Sequence, residues 1–226
     1  TLATGRSVSM TLPGLEQLEL SPEYVVSSNG AILLRRDERE HRNYRREHVE
    51  HFDPTPVLKS IRERLPHAHY AVENETGMYR YTGWFPEGAL DITTEQVDFD
   101  DLLTTVATRV VVIAPGHDSK EFEDAVEQLG LHQVSYAVGW TNWLDIAPDG
   151  VNKSTALERA RQALGFPRHR VMAIGDGRND IEMFRWAGAH GRAVAMGQAP
   201  PEVLAVSTEV TRPDREDGVA WALRSL

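Results

Sequence analysis

Cysteine is absent from the 226 residues of this chain. Its absence excludes disulfides and thiolate metal sites, and it leads us to expect a reducing, cytoplasmic environment. Long apolar runs are absent as well, since no stretch of the sequence is long and apolar enough to span a bilayer. We therefore expect neither a membrane segment nor a signal peptide.

A surplus of positive charge is also lacking, because 24 lysine and arginine residues face 34 acidic ones, for a formal net charge of −10. This balance argues against broad binding to nucleic acid or to anionic membranes. The rest of the composition is that of an ordinary soluble globular protein, with 41% hydrophobic and 26% charged residues. The length suffices for one large domain or two modest ones, and we expect a monomer or a small homo-oligomer.

The segment from Val171 to Met183 joins an apolar strand to a group of polar residues. The run Val171–Ile174 has the length and composition of a buried strand, and it ends at Gly175. Asp176 and Asp180 follow, and a helical pattern then begins. In open α/β sheets ligands bind at the carboxyl ends of the strands, so this position suits a ligand-binding group.

The residue types of this segment allow two interpretations. Asp176 and Asp180 are hard oxygen ligands, which favour Mg²⁺ over zinc. Gly175 and Gly177 allow a tight turn and a close approach of the backbone to a ligand. Asn179 or Asp180, however, would serve equally well as the cap of the following helix. Taken alone, the segment is as compatible with an ordinary capped turn as with a metal site.

Alternating strands and helices follow residue 149 and predict a parallel, doubly wound sheet. The predicted elements are strands Val171–Ile174 and Arg192–Met196 and helices Lys153–Leu164, Ile181–Ala187, Pro201–Ala205 and Asp217–Leu223. The first 36 residues supply more of this sheet. They are predicted to contain a short helix from Gly14 and a hairpin of Tyr24–Ser27 and Ile32–Leu34 around Asn29-Gly30.

Charged residues dominate from Arg35 to Glu50, which places a domain boundary near residue 37. The section that follows mixes both kinds of element. Its predicted helices are Pro54–Leu65, Asp98–Thr105 and Ser119–Leu129, the last ended by Gly130, and its predicted strands are His69–Glu73, Met78–Tyr81, Arg109–Ala114, Val134–Val138 and Trp143–Ile146. The predicted fold class is therefore α/β, with a Rossmann-like parallel-sheet core of residues 1–36 and 149–226 and an inserted α+β domain of residues 37–148.

Six short motifs occur in a fixed order along the chain. They are Ala3-Thr4-Gly5-Arg6, Asn29-Gly30-Ala31, Gly150-Val151-Asn152-Lys153, Gly175-Asp176-Gly177-Arg178-Asn179-Asp180, Ala195-Met196-Gly197-Gln198-Ala199 and Glu216-Asp217-Gly218-Val219. In this order the sequence resembles the Cof-type (subclass IIB) branch of the haloacid dehalogenase-like hydrolases. Most members of that branch are Mg²⁺-dependent phosphatases of small phosphorylated metabolites. The inserted domain has the size and αβ character of their cap, and Gln198 stands where they more often have asparagine.

The resemblance implies a role for each matching residue. Thr4 matches the hydroxyl that hydrogen-bonds a transferring phosphoryl oxygen, and Lys153 matches the lysine whose ammonium neutralises phosphate charge. Asp176 matches the acid that ligates Mg²⁺, and Asp180 the acid that supports the metal site and holds Lys153. The implied catalytic residues are Thr4, Lys153 and Asp180. The implied substrate-binding residues are Thr4, Gly5, Asn29, Lys153 and Asn179. Such positioned cations and donors are what phosphoryl transfer requires.

The family's first motif, Asp-x-Asp, supplies the nucleophile and the acid/base residue, and it precedes the position that Thr4 matches. Residues 1–226 contain no such motif in the right strand context. The two candidates, Asp98-Phe99-Asp100 and the Asp145–Asp149 segment, fall in the predicted insertion. We therefore expect an incomplete or truncated chain rather than an enzyme that works without this strand.

The expected activity is that of a Mg²⁺-dependent phosphatase acting on phosphomonoesters of small metabolites, such as sugar or polyol phosphates, through a phospho-aspartate. A sugar phosphomutase of the same superfamily is one alternative. A truncated, non-catalytic ligand-binding remnant is the other. The expected partner is a small phosphorylated metabolite, with neither nucleic acid nor membrane involved. Arg80, Tyr81, Trp140 and Trp143 are candidate cap contacts.

Overall fold

The computed structural model describes residues 1–90, 93–116, 118–128, 134–138 and 142–226. The predicted helix end at Gly130 and the candidate contact Trp140 lie outside these residues. The chain divides into two compact units, Thr1–Val151 and Asn152–Leu226. Each unit contains helices and parallel strand pairs, which confirms the α/β class.

The first unit begins with a four-stranded sheet in the order β1-β2-β3-β4. Its strands are β1 (Leu2–Ala3), β2 (Tyr24–Ser27), β3 (Ile32–Arg36) and β4 (Tyr44–Val49). Strands β1 and β2 are parallel, and the other pairs are antiparallel. The predicted hairpin around Asn29-Gly30 is confirmed as β2–β3. Helix α1 (Val8–Gln17) covers this sheet with Leu12 and Leu15.

One expectation for this region was wrong, because helix α1 begins at Val8 and not at Gly14, and Pro13 lies inside it. The charged stretch after Arg35, in which no strand was predicted, contains β4. Strand β4 is an edge strand whose central side chains are exposed. Main-chain pairing with β3 holds it, and Tyr44 and Val49 at its ends pack partly buried against the core.

A six-stranded sheet in the order β7-β6-β5-β8-β10-β9 forms the rest of the first unit. Its strands are β5 (His69–Glu73), β6 (Tyr79–Tyr81), β7 (Thr94–Gln96), β8 (Arg109–Ile113), β9 (Val134–Val138) and β10 (Trp143–Pro148). Its helices are α2 (Thr55–Arg64), α3 (Phe99–Leu102) and α4 (Ser119–Gln128). Strand β8 is buried at every position, as its run of β-branched residues predicts. Helix α3 is shorter than the predicted Asp98–Thr105.

The second unit is a three-stranded parallel sheet with helices in the predicted alternation. Its elements are α5 (Lys153–Ala163), β11 (Met172–Gly175), α6 (Ile181–Gly188), β12 (Arg192–Ala195), α7 (Pro201–Leu204), β13 (Glu209–Val210) and α8 (Gly218–Leu223). Helix α6 packs against β11 and β12 through Met183, Phe184 and Ala187. Among the described helices, none has the length and apolarity needed to cross a membrane.

The carboxylate of Glu158 links α5 to α6. It accepts hydrogen bonds from Arg161 and Gln162 on its own helix, and from the indole N–H of Trp186 at 2.9 Å. These donors, led by Arg161, hold the pKa of Glu158 well below its usual range. A depressed pKa contributes stability that is complete above the pKa of the unfolded chain and declines as the pH falls below it.

We expect Glu158→Gln to lower the free energy of unfolding at pH 7 by about 1.5 to 3 kcal/mol, the usual contribution of a hydrogen bond to a charged group. The difference from the parent chain should narrow as the pH falls below the ordinary glutamate value of 4.5. Urea unfolding at pH 7 and pH 3 measures both values. Glu182→Gln, which removes an exposed pair with Arg185, is the control. An equal difference in the free energy of unfolding between the parent chain and Glu158→Gln at both pH values would contradict the prediction.

Candidate active site

In the first unit, the loop after β1 is joined to the β2–β3 turn by backbone hydrogen bonds. The N–H of Asn29 donates to the carbonyl of Thr4 at 3.1 Å, and that of Ser28 donates to the carbonyl of Arg6 at 2.8 Å. The hydroxyl oxygen of Thr4 in turn accepts the N–H of Arg6 at 3.2 Å. Thr4 and Asn29, which are far apart in sequence, are therefore held side by side.

The turn of residues 28–30 has an unusual backbone. Ser28, Asn29 and Gly30 have φ values of 48°, 52° and 105°, and the first two are not glycine. Left-handed backbone is costly for such residues and persists where surrounding contacts enforce it. The amide of Asn29 lies against Gly5, where an added Cβ would come within 2.8 Å of its oxygen. Gly5 is needed here because a side chain would displace Asn29.

In the second unit, Asp180 is the centre of a buried polar group. Its Oδ1 accepts the ammonium of Lys153 at 2.7 Å, and its Oδ2 accepts the backbone N–H groups of Asp176 at 3.0 Å and Gly177 at 2.9 Å. Lys153 is 6% exposed and Asp180 is 4% exposed. A buried ion pair offsets its desolvation cost only when further hydrogen bonds satisfy the charges, and this one meets that condition.

Lys153 occupies the first position of α5, where a cation opposes the helix dipole. Asn152 caps the helix, with its side chain accepting the N–H of Ser154 at 2.9 Å and its own N–H donating to the hydroxyl of Thr155 at 3.2 Å. The cap fixes the first turn, and the ion pair with Asp180 compensates for the unfavourable position of the charge.

Two glycines make room for the loop that surrounds Asp180. A Cβ at Gly175 would overlap the carboxylate of Asp180, and one at Gly177 would lie 2.6 Å from the side-chain oxygen of Asn179. These glycines were expected to let a ligand approach the backbone, and the groups that approach them in the structure are the protein's own: the carboxylate of Asp180 at Gly175 and the amide of Asn179 at Gly177. Asp180 thus shapes the loop that carries Asp176.

Asp176 is exposed, and a residue from the next strand end orients it. The amide N–H of Gln198 donates to Oδ2 of Asp176 at 3.0 Å, while its oxygen accepts the N–H of Asp214 at 3.0 Å. Gln198 therefore bridges the carboxylate and the chain after β13. Sequence reasoning missed this role. The sequence signal for it was glutamine at a position where the family more often has asparagine. The longer side chain of glutamine reaches both Asp176 and Asp214.

The oxygen donors of this loop fit a Mg²⁺ ion only in part. Within the described ranges, no group of three or more histidine, aspartate or glutamate residues is arranged to hold a metal ion. Asp176 presents an exposed carboxylate, and Mg²⁺ commonly binds through one or two carboxylates together with waters and substrate phosphate. The oxygens of Asp180 are engaged by Lys153 and by the loop N–H groups. Asp176 is thus the better placed of the two predicted ligands.

The sequence-predicted residues fall into two groups, one in each unit. The first unit brings together Thr4, Gly5 and Asn29, and the second brings together Lys153, Asp176, Asn179 and Asp180. A model of the haloacid dehalogenase-like hydrolase family matches residues 1–223. The chain belongs to this family. The sequence resemblance is therefore confirmed.

Known proteins of this haloacid dehalogenase-like family resemble the chain in sequence and in fold. The 5-amino-6-(5-phospho-D-ribitylamino)uracil phosphatase YitU of Bacillus subtilis is 28% identical over 60% of this chain and 51% of its own length. A haloacid dehalogenase-like hydrolase structure from B. subtilis has a TM-score of 0.80 at 18% identity, covering 100% of this chain and 87% of that one. The subclass IIB sugar phosphatase BT4131 has a TM-score of 0.76 at 20% identity, covering 99% and 83%.

These two structural likenesses establish the haloacid dehalogenase-like fold. The chain spans between 29% and 51% of the length of the first curated relatives that it matches. Several of those relatives carry the name phosphatase.

Among the candidate cap contacts, Arg80 has structural partners. Its guanidinium binds Glu95 at 3.1 Å and the carbonyl of Asp101 at 3.2 Å, which ties β6 to β7 and α3. Tyr81 and Trp143 both pack edge-on against Phe85. Tyr81 also lines an open cavity of about 300 Å³ with Trp84 and Phe85.

We expect Gly175→Ala to lower the free energy of unfolding by about 2 to 4 kcal/mol, because the new Cβ would displace Asp180 and leave Lys153 buried without its partner. Urea unfolding measures the change. Gly14→Ala is the matched control, since a Cβ at that helical position has nothing within 4 Å. It should be neutral or stabilise by up to about 1 kcal/mol. Similar effects of the two substitutions would contradict the structural role of Asp180.

Proposed function

We propose that this chain carries the phosphate-binding and Mg²⁺-binding groups of a phosphatase that hydrolyses phosphomonoesters of small metabolites, such as sugar or polyol phosphates. The observation that carries the proposal is the buried Lys153–Asp180 pair beside the exposed carboxylate of Asp176. A held cation next to an oriented acid suits a dianionic phosphoryl group with its metal ion. Membership of the family and the phosphatase names of its relatives support it.

The first-unit group supplies hydrogen-bond donors. The Thr4 oxygen accepts the N–H of Arg6, and its O–H can donate to a phosphoryl oxygen. The side-chain amide of Asn29 lies against Gly5 and is the second candidate for contact with the phosphate, as the resemblance implies. Donors that are fixed before the substrate arrives stabilise developing charge without reorganisation in the transition state.

The second-unit group supplies positive charge. Lys153 neutralises a phosphoryl oxygen, and Asp180 keeps its ammonium in place. Asp176 would hold the Mg²⁺ ion, supported by Asp180 through the loop. When bound, the ion would screen the negative charge of the phosphoryl group and orient it.

In the reaction that the resemblance implies, an aspartate of the Asp-x-Asp motif attacks phosphorus, the alcohol leaves, and water hydrolyses the phospho-aspartate. We propose this activity for protein that includes that motif. Residues of the middle section, with Tyr81 and Trp143 among the candidates, would contact the leaving group.

We expect Asp176→Asn to reduce phosphate release by at least about 100-fold, because a bound metal ion contributes several kcal/mol of charge stabilisation. The assay measures phosphate released from a panel of sugar phosphates, with Mg²⁺ and with EDTA, by protein that carries the Asp-x-Asp motif.

Hydrolysis that survives EDTA or Asp176→Asn would refute this mechanism. Little net phosphate release together with a requirement for a sugar bisphosphate would indicate a phosphomutase. A complete absence of turnover would indicate a ligand-binding remnant.

Gln198→Asn should weaken divalent-ion binding by about 10-fold. Mutation of a residue that orients a metal ligand typically lowers the metal affinity by about 10- to 100-fold. The shorter amide cannot bridge Asp176 and Asp214 at 3.0 Å each. Titration of this chain with Mn²⁺, followed by electron paramagnetic resonance, measures the affinity directly. Gln96→Asn, at an exposed position on β7, is the matched control. Equal affinities in the two variants would show that Gln198 has no orienting role.

A further inference from the structure

A buried hydrogen-bonded chain connects the turn of residues 28–30 with the six-stranded sheet. The hydroxyl of Ser28 donates to Oε2 of Glu73 at 2.8 Å, although the two residues are 45 positions apart. The phenol of Tyr79 donates to the same oxygen at 3.1 Å. Ser28 and Glu73 are fully buried, and Tyr79 is 1% exposed. The turn is thereby tied to β5 and β6 through side chains that water does not reach.

Further residues of the sheet fix the direction of these hydrogen bonds. Arg109 on β8 donates to the phenol oxygen of Tyr79 at 3.0 Å and to Asp145 on β10 at 2.6 Å. Burial raises the pKa of Tyr79 well above its ordinary value, so the phenol keeps the proton that it donates to Glu73. Asp145 is in turn fixed by the indole N–H of Trp143 at 3.1 Å. Glu73 is therefore a precisely oriented acceptor.

Stability alone does not account for a buried acid at this position, because replacing buried charged groups with well-packed apolar residues is often neutral or stabilising. The hydrogen bond from Ser28 to Glu73 instead stabilises the turn. Two successive non-glycine residues of that turn have a left-handed backbone, which persists only where surrounding contacts enforce it. The same turn holds the carbonyls of Thr4 and Arg6 through its backbone N–H groups.

We propose that Glu73 is a positioning residue, whose carboxylate holds Ser28 and thereby sets the turn that presents Asn29 and anchors Thr4. Its effect on catalysis rests on the proposed function, in which Asn29 and Thr4 bind the phosphate. Glu73 touches neither substrate nor metal in this scheme. It acts through Ser28, from a sheet that sequence reasoning assigned to the inserted domain.

Amide hydrogen exchange on this chain tests the hold of Glu73 on the turn without any substrate. In Ser28→Ala, exchange at Asn29 and Ala31 should accelerate by about 10- to 100-fold, as expected for the loss of a hydrogen bond to a charged group. Exchange should also accelerate in Glu73→Gln, where a neutral amide oxygen replaces the charged acceptor. The double variant should not exceed the larger single effect, because both changes act on one interaction.

Ser27→Ala is the matched control. Ser27 is the neighbouring buried serine, and its hydroxyl has no hydrogen-bond partner among the residues that the structure describes. It should leave exchange at Asn29 and Ala31 unchanged. Equal exchange in Ser28→Ala and Ser27→Ala would overturn the proposal, whatever the thermal stability of the variants. If Glu73→Gln fails to fold, the comparison of these two serine variants decides.

Kinetics on protein that carries the Asp-x-Asp motif test the consequence for catalysis. With p-nitrophenyl phosphate, Ser28→Ala and Glu73→Gln should lower kcat/KM by about 10-fold, and Ser27→Ala should not. An unchanged kcat/KM alongside accelerated exchange would refute the catalytic role of Glu73. Absence of phosphatase activity in the parent protein would refute the proposed function instead, and the exchange result would still decide whether Glu73 holds the turn.

Discussion

The second unit is organised around one ion pair, between Lys153 and Asp180. An unpaired ammonium in this buried position would cost several kcal/mol, so the carboxylate must stay within reach of it. The same carboxylate accepts two backbone N–H groups of the loop after β11. One side chain therefore holds Lys153 at the start of α5 and fixes the course of the loop and the backbone of Asp176. Gly175 is a consequence of this arrangement, because a Cβ there would overlap the carboxylate of Asp180.

The parts of the fold that could be predicted are those specified by residues close together in the sequence. The β2–β3 hairpin follows from Asn29-Gly30 between two apolar runs, and the second unit follows from strands and helices of clear periodicity. The motif around Asp176 was identified for the same reason, since its residues are contiguous. Strand β4 was missed because its central residues are charged and exposed, and only its pairing with β3 defines it.

The contacts that sequence reasoning missed join residues that are distant along the chain. Glu73 ends an apolar strand, where a single acid indicates only a strand boundary, and its partner Ser28 lies 45 residues earlier. Gln198 lies 22 residues from Asp176 and shows its role only when the strand ends are brought together. Neither contact leaves a local pattern, because each depends on the register of strands that tertiary packing sets. The resemblance identified the candidate phosphate-binding residues and Asp180 as the partner of Lys153, but it identified neither Glu73 nor Gln198.

The intramolecular bonds of Asp180 also determine what a cation can do to the chain. Because a protein carboxylate already closes the loop, binding of an ion orders no further backbone and carries little entropic cost. This differs from small zinc domains, whose metal supplies their folding free energy. A cation that binds at Asp176 should therefore raise thermal stability by the mass-action amount, which grows with the logarithm of its concentration above its dissociation constant. The loop's own hydrogen bonds should keep its shape whether or not a cation is bound.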